Sequence, residues 1–180
     1  FQLSEVTRDL HANGPVGVMT DYEAKFHDQG LPICRCVGTM VPWEEPFPTD
    51  IRRVKNRWLD VFADGVPDAD LGKHVLSEGN YLWHLFSWEL VPCLSGDAAR
   101  QALAAAPGEK YLFYYEYPPE GEPLVRPVTA EELAALPTDA GAIPGADWYL
   151  VDKDFTWTYV QTHEADCGPY FCRRDPSVSG

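Results

Sequence analysis

The stretch Trp148-Tyr-Leu-Val-Asp-Lys-Asp-Phe-Thr-Trp-Thr-Tyr-Val-Gln-Thr-His-Glu164 decides the fold. It holds two runs of aromatic and β-branched residues around the acidic turn Asp152-Lys-Asp154. Such residues pack well on a pleated surface, and a short polar turn between two such runs signals an antiparallel hairpin. The turn lacks the glycine that marks the strongest hairpin signals. Side chains alternate along a strand, so Phe155, Trp157, Tyr159, Gln161 and His163 share one face. Thr156, Thr158, Val160 and Thr162 share the other.

Outward from the hairpin, Tyr111 to Tyr117 reads as a second strong strand. Tyr81 to Glu89 reads as a central strand, apolar on both faces, with a helix as the competing reading for so short a run. Ile51, Val54, Trp58 and Phe62 form a helical stripe behind a cap at Thr49 or Asp50. Arg52, Arg53, Lys55 and Arg57 lie off that stripe as a solvated basic face. Ser95 caps a helix over Asp97 to Ala106, which Pro107-Gly108 stops, and Thr129-Ala-Glu-Glu132 has the form of a capping box. Near the start, Leu3, Val6 and Leu10 suggest a helix, Asp21 to Gln29 a second, and Ile33 to Val37 a strand. The expectation is an α+β fold: an antiparallel sheet of about four strands with helices packed on one face. Its strands are Tyr81–Glu89, Tyr111–Tyr117, Trp148–Val151 and Phe155–His163, and its covering helices lie around Ile51–Phe62 and Asp97–Ala106.

A chain of 180 residues with 45% hydrophobic and 13% aromatic content can bury one sizeable core, so residues 1–180 read as a single domain. The net charge is −14, and the acids are uneven. From Glu116 to Asp166 only Arg126 and Lys153 oppose a long series of carboxylates. A field of that sign repels phosphate backbones, which argues against nucleic acid as a partner. It attracts basic proteins, although the plainer account is solubility. No apolar run reaches the ~20 residues that span a bilayer, and no signal-peptide pattern opens the chain at Phe1. The expected compartment is the cytoplasm.

Chemistry is harder to place. His163-Glu164 ends the hairpin, and histidine is the side chain whose unperturbed pKa, ~6.5, places proton exchange near neutrality. Neighbours on a strand point to opposite faces, so Glu164 reaches the His163 ring only if the strand bends there. A plainer role for His163 is a bond to the backbone of the Gly168-Pro169 turn. His84, among Leu82, Phe86 and Trp88, reads first as a neutral core histidine. Cys167 is a candidate nucleophile beside His163, with no neighbour that announces an activated thiolate. The five cysteines include Cys34-x-Cys36 but lack zinc-finger spacing, so neither a metal nor a cofactor is expected. A phosphate-binding glycine loop, a G-x-S-x-G elbow and an H-E-x-x-H helix are all absent.

Tyr81-Leu-Trp-His-Leu-Phe-Ser-Trp-Glu89, the Cys93-Leu-x-Gly-x-x-Ala99 helix entry, Trp157-Thr-Tyr-Val-x-Thr-His-Glu164 and Cys167-Gly-Pro-Tyr-Phe171 occur here together. In that order and spacing they resemble a family of small bacterial proteins known only as a domain of unknown function. The resemblance covers roughly residues 50–173 and leaves residues 1–45 outside it. It implies a soluble bacterial protein and carries over no catalytic residues. At fold level there is also a similarity to acidic α+β immunity proteins that neutralise bacterial toxins.

Two functions follow as expectations. The first is an acidic, cytoplasmic protein-binding module of immunity or inhibitor type, with a basic protein such as a toxin as partner. Its contact residues would be Glu116, Glu120, Glu122, Asp152 and Asp154. The second is a small hydrolase or metal-dependent enzyme using His84, His163, Glu164 and Cys167. A geometric test separates them: at least two of these side chains must approach within hydrogen-bond reach, ~2.6–3.2 Å, at the floor of an open pocket, and the enzyme reading fails if both histidines are buried against backbone.

Overall fold

The computed structural model describes residues 47–77, 81–114, 118–136 and 146–174. The two helices and the strand expected before residue 40, and Glu116, lie outside the described residues. In chain order the elements are α1 (Ile51–Phe62), α2 (Asp68–His74), α3 (His84–Ser87), β1 (Leu94–Ser95), α4 (Gly96–Ala104), β2 (Lys110–Tyr114), β3 (Val125–Val128), α5 (Ala130–Ala135), β4 (Trp148–Asp152), β5 (Trp157–Gln161) and β6 (Tyr170–Arg173). All sheet pairings are antiparallel, in the order β1-β6-β5-β4-β2-β3. The α+β expectation holds, with six strands in place of about four.

The hairpin forms as β4 and β5, with Leu150 opposite Tyr159 and Val151 opposite Thr158. Its turn works without glycine because two side chains compensate. Phe155 adopts φ 57°, a left-handed conformation that strains a bulky residue. The ring is fully buried and stacks 5.7 Å from Phe47, so packing holds it there. The Asp152 carboxylate accepts from the Thr156 N–H at 2.7 Å, the Thr156 hydroxyl at 2.6 Å and the Trp157 N–H at 3.2 Å.

Every residue of β5 is buried, so helices must cover both faces of the sheet. On one face, α1 lays Trp58 against Tyr149 with Phe62 packed on Trp58, and the Trp58 indole N–H donates to the Thr158 hydroxyl at 2.8 Å. Phe86 of α3 packs on the same side, edge-on to Trp58 and beside Tyr170. On the other face, Ala99 of α4 joins Leu112, Trp148, Leu150, Trp157, Tyr159 and Phe171, with Leu133 of α5 packed at the margin. The expectation that α1 and α4 share one face is therefore corrected. The sheet is sandwiched, because successive residues of β4 and β5, which point to opposite faces, are all buried up to Val151 and Gln161. Fully burying each large apolar side chain contributes about 1.5–3 kcal/mol. A surface pair such as Arg126 with Glu122 (2.9 Å) is worth about 0–1 kcal/mol, so the core dominates stability.

The expected strand at Tyr81–Glu89 is also corrected. It is a turn followed by the four-residue helix α3. Leu82, Trp83, Leu85 and Phe86 are buried while Trp88 is 57% exposed, a pattern that fits a helical turn and not strand alternation. Both α1 and α5 begin as the sequence indicates. The Asp50 carboxylate accepts from Arg52 N–H at 2.9 Å, and Thr129 and Glu132 close a reciprocal capping box. Among the described residues, no helix is long and apolar enough to cross a membrane.

Candidate functional site

Asp147 sits one residue before β4 and is 4% exposed. A buried carboxylate needs donors to replace lost water. Three surround it. Trp83 donates its indole N–H to Oδ2 at 2.9 Å, and the backbone N–H of His163 donates to Oδ1 at 2.8 Å. Nδ1 of His163 lies 2.8 Å from the same Oδ1. A carboxylate only accepts, so Nδ1 carries the proton and, in the neutral ring, Nε2 is left as the acceptor.

The chain leaves β5 after Gln161 and bends at His163 and Glu164. The bend sets aside the objection that strand neighbours face apart. Glu164 Oε1 lies 4.0 Å from His163 Nε2, with the His163 side chain 22% exposed and Glu164 49% exposed. Thr162 braces the bend, its hydroxyl against the carbonyls of Glu164 (3.1 Å) and Cys167. The ring of His163 turns to Asp147 and not to the Gly168-Pro169 backbone.

The wall beside His163 is aromatic. The Tyr81 ring stands edge-on at 5.1 Å, and Trp83 lies 6.3 Å away. His84 packs against Trp83 at 4.3 Å. Its Nδ1 accepts from the Tyr81 N–H at 3.4 Å, and it also bonds the backbone of His74. Burial holds its imidazole below the ordinary range, against the opposing pull of that backbone bond and of Glu164 and Asp147. His84 is thus half-buried and held by backbone, on a helix and not on a strand.

Cys167 lies near Glu164 and Tyr170, and desolvation followed by the Glu164 carboxylate pushes its thiol up. That net shift opposes thiolate formation, against a smaller opposite pull from the Tyr170 side chain. Of the expected enzyme candidates, His163 Nε2 and Glu164 Oε1 are neighbours at 4.0 Å, beyond the hydrogen-bond reach expected of a catalytic pair, His84 lies beside Trp83, and Cys167 adjoins Glu164. Asp147 was missed. Its signal was the hairpin itself: in that register the residue before Trp148 faces the residue after Gln161, next to His163.

The acidic contact candidates are dispersed. Glu120 is exposed in the turn after Pro119. Glu122 pairs with Arg126, Asp152 caps the hairpin turn, and Asp154 lies within the electrostatic reach of Arg57 on α1. Among the described residues, no group of three or more His, Cys, Asp or Glu side chains is arranged to hold a metal ion.

A family model described as Domain of unknown function (DUF4275) matches residues 48–171, which span α1 to β6 and every residue of the site. No curated protein and no solved structure matches the chain.

Proposed function

The chain belongs to the DUF4275 family, and within it we propose that this protein is a small hydrolase whose general base is His163, held by Asp147. The observation that carries the reading is the 2.8 Å contact from His163 Nδ1 to the buried Asp147 Oδ1, which directs Nε2 away from the core. An imidazole oriented in this way removes a proton from water or a substrate hydroxyl, a contribution of about 10²–10⁴-fold in rate. Glu164, 4.0 Å from Nε2, stabilises the imidazolium as it forms. Two segments 80 residues apart, Trp83-His84 and His163-Glu164, converge on one carboxylate, and both belong to the motifs that carry the family resemblance. The test is a panel of ester, amide, phosphoester and glycoside substrates. Turnover by the wild-type chain that falls at least 100-fold in His163→Gln supports the reading. Absence of turnover on every class, or turnover that His163→Gln retains, overturns it.

A second reading, the acidic module that binds a basic protein of toxin type, draws support from the net charge of −14 and from exposed Glu120 and Trp88. Aromatic anchors ringed by charge suit such interfaces. Glu122, Asp152 and Asp154 have partners within the chain, which leaves this reading fewer contact groups. Salt-sensitive binding to a basic protein encoded by a neighbouring gene, weakened by Glu120→Lys, would favour it over the first.

A further inference from the structure

We propose that Cys93 and Cys172 form a cross-strand dithiol that a hydroperoxide converts into a disulfide, stapling β1 to β6. The argument is one of register. Leu94 lies opposite Phe171 and Ser95 opposite Tyr170, and continuing that register one residue beyond β1 sets Cys93 against Cys172. Gly96 N–H donates to Pro169 O at 2.9 Å, which makes that pair the hydrogen-bonded type. Pair types alternate along an antiparallel ladder. Ser95 with Tyr170 is then non-hydrogen-bonded, Leu94 with Phe171 hydrogen-bonded, and Cys93 with Cys172 non-hydrogen-bonded. At such positions Cα atoms stand about 4.5 Å apart and side chains approach most closely. That separation is inside the roughly 4.4–6.8 Å that a disulfide spans.

Access and proximity agree with the register. Both residues are free cysteines, Cys93 partly exposed and Cys172 buried. Both line one groove of about 560 Å³ at the sheet edge, with Leu94, Phe171 and Arg173. Burial pushes both thiols up, Cys172 to about 11, where Arg174 pulls it down and the neighbouring Cys93 raises it.

The reaction balances as two thiols plus hydrogen peroxide giving one disulfide and two waters. Cys93 Sγ, the exposed partner, attacks the peroxide; the O–O bond breaks, a Cys93 sulfenic acid forms and water leaves. Cys172 Sγ then attacks that sulfur, the S–O bond breaks, and hydroxide leaves with the Cys172 proton as the second water. Two electrons pass from the sulfurs to peroxide. Raised thiol pKa values make the first step slow at neutral pH and faster as pH rises.

The experiment is peroxide treatment of the full chain, followed by thiol counting and peptide mapping without reductant. The expected result is a Cys93–Cys172 linked peptide, reversed by dithiothreitol and forming faster at pH 9 than at pH 7. It should be unchanged in Cys167→Ser and absent in Cys93→Ser, a substitution at a partly exposed site that spares the core. Stepwise oxidation of Cys93 to sulfinic acid without a linked peptide overturns the proposal. So does pairing of Cys93 with Cys34, Cys36 or Cys167, or a linked peptide that joins two chains.

Discussion

Oδ1 of Asp147 receives His163 twice, through the backbone N–H and through Nδ1, each at 2.8 Å. One oxygen therefore fixes both the path of the chain and the orientation of the ring, and the other oxygen fixes Trp83. Asp147→Asn keeps the shape but turns an amide NH₂ toward one of three donors. The expected cost is about 1–3 kcal/mol in urea unfolding, because a buried donor loses its acceptor. Imidazole nitrogen NMR should show His163 leaving the Nδ1–H tautomer, and hydrolytic turnover should fall about 10²-fold or more. A variant with wild-type stability and tautomer would remove the orienting role.

The site also predicts a pH dependence through His84. Burial holds its folded-state pKa below the ordinary 6.5. Between those two values the unfolded chain binds the proton and the folded chain does not, so stability rises with pH across that window. The contribution is complete above 6.5 and is lost as pH falls through the folded value. His84→Gln should flatten this part of the stability curve between pH 7 and pH 5, as measured by unfolding midpoints in urea. An unchanged slope would show that other groups govern the acid limb.

Asp152 and Phe155 make a turn that their sequence disfavours. Asp152→Ala removes three acceptor contacts that hold the residues after Phe155, whose φ is 57°. The partly buried donors of Thr156 and Trp157 then lose their partner. The expected loss is about 1–3 kcal/mol, with faster hydrogen exchange at Thr156 and Trp157 as the local signature. If Asp152→Ala leaves both unchanged, packing of Phe155 on Phe47 suffices to set the turn.

What could be read in advance followed from patterns that a single element satisfies. The alternation of Trp157, Thr158, Tyr159 and Val160 announced β5, and the Thr129-to-Glu132 spacing announced a capping box that the structure contains. What could not be read depended on tertiary cover. Leu82-Trp-His-Leu-Phe86 is apolar at both periods, so only its docking on Trp58 and Asp147 decides for α3. The strand β3 was hidden by Pro127, which the edge position tolerates because its missing N–H faces no partner strand. The site was half legible: His163 and Glu164 stood out by residue type, while Asp147 was one carboxylate among many until the hairpin register singled it out.

The helix α5 offers a local test, since it has no buried residue and hangs on its cap. Thr129→Ala removes the acceptor of the Glu132 N–H at 3.2 Å. Loss of such a cap costs about 0.5–2 kcal/mol. Because little tertiary packing holds the helix, that cost should appear as fraying of residues 130–135 in hydrogen exchange, with the global midpoint nearly unmoved. The reciprocal bond from Thr129 N–H also holds the Glu132 carboxyl below its ordinary 4.5. The helix should therefore fray progressively as pH falls below that value, and NMR titration of Glu132 should move upward in the variant.

The bond from Trp58 to Thr158 ties α1 to the sheet across 100 residues of chain, at 2.8 Å in a fully buried setting. Thr158→Val preserves volume but strands the indole N–H, an expected loss of about 1–3 kcal/mol. Trp58→Phe removes the donor and opens a cavity beside Tyr149 and Phe86, and should cost more than the valine substitution. In the double variant no indole remains to be stranded, so the combined loss should be smaller than the sum by about 0.5–1.5 kcal/mol. Chemical denaturation of the four proteins measures that coupling. Additive losses would mean that the helix is held by apolar packing alone, and that the hydrogen bond orients the indole without stabilising the fold.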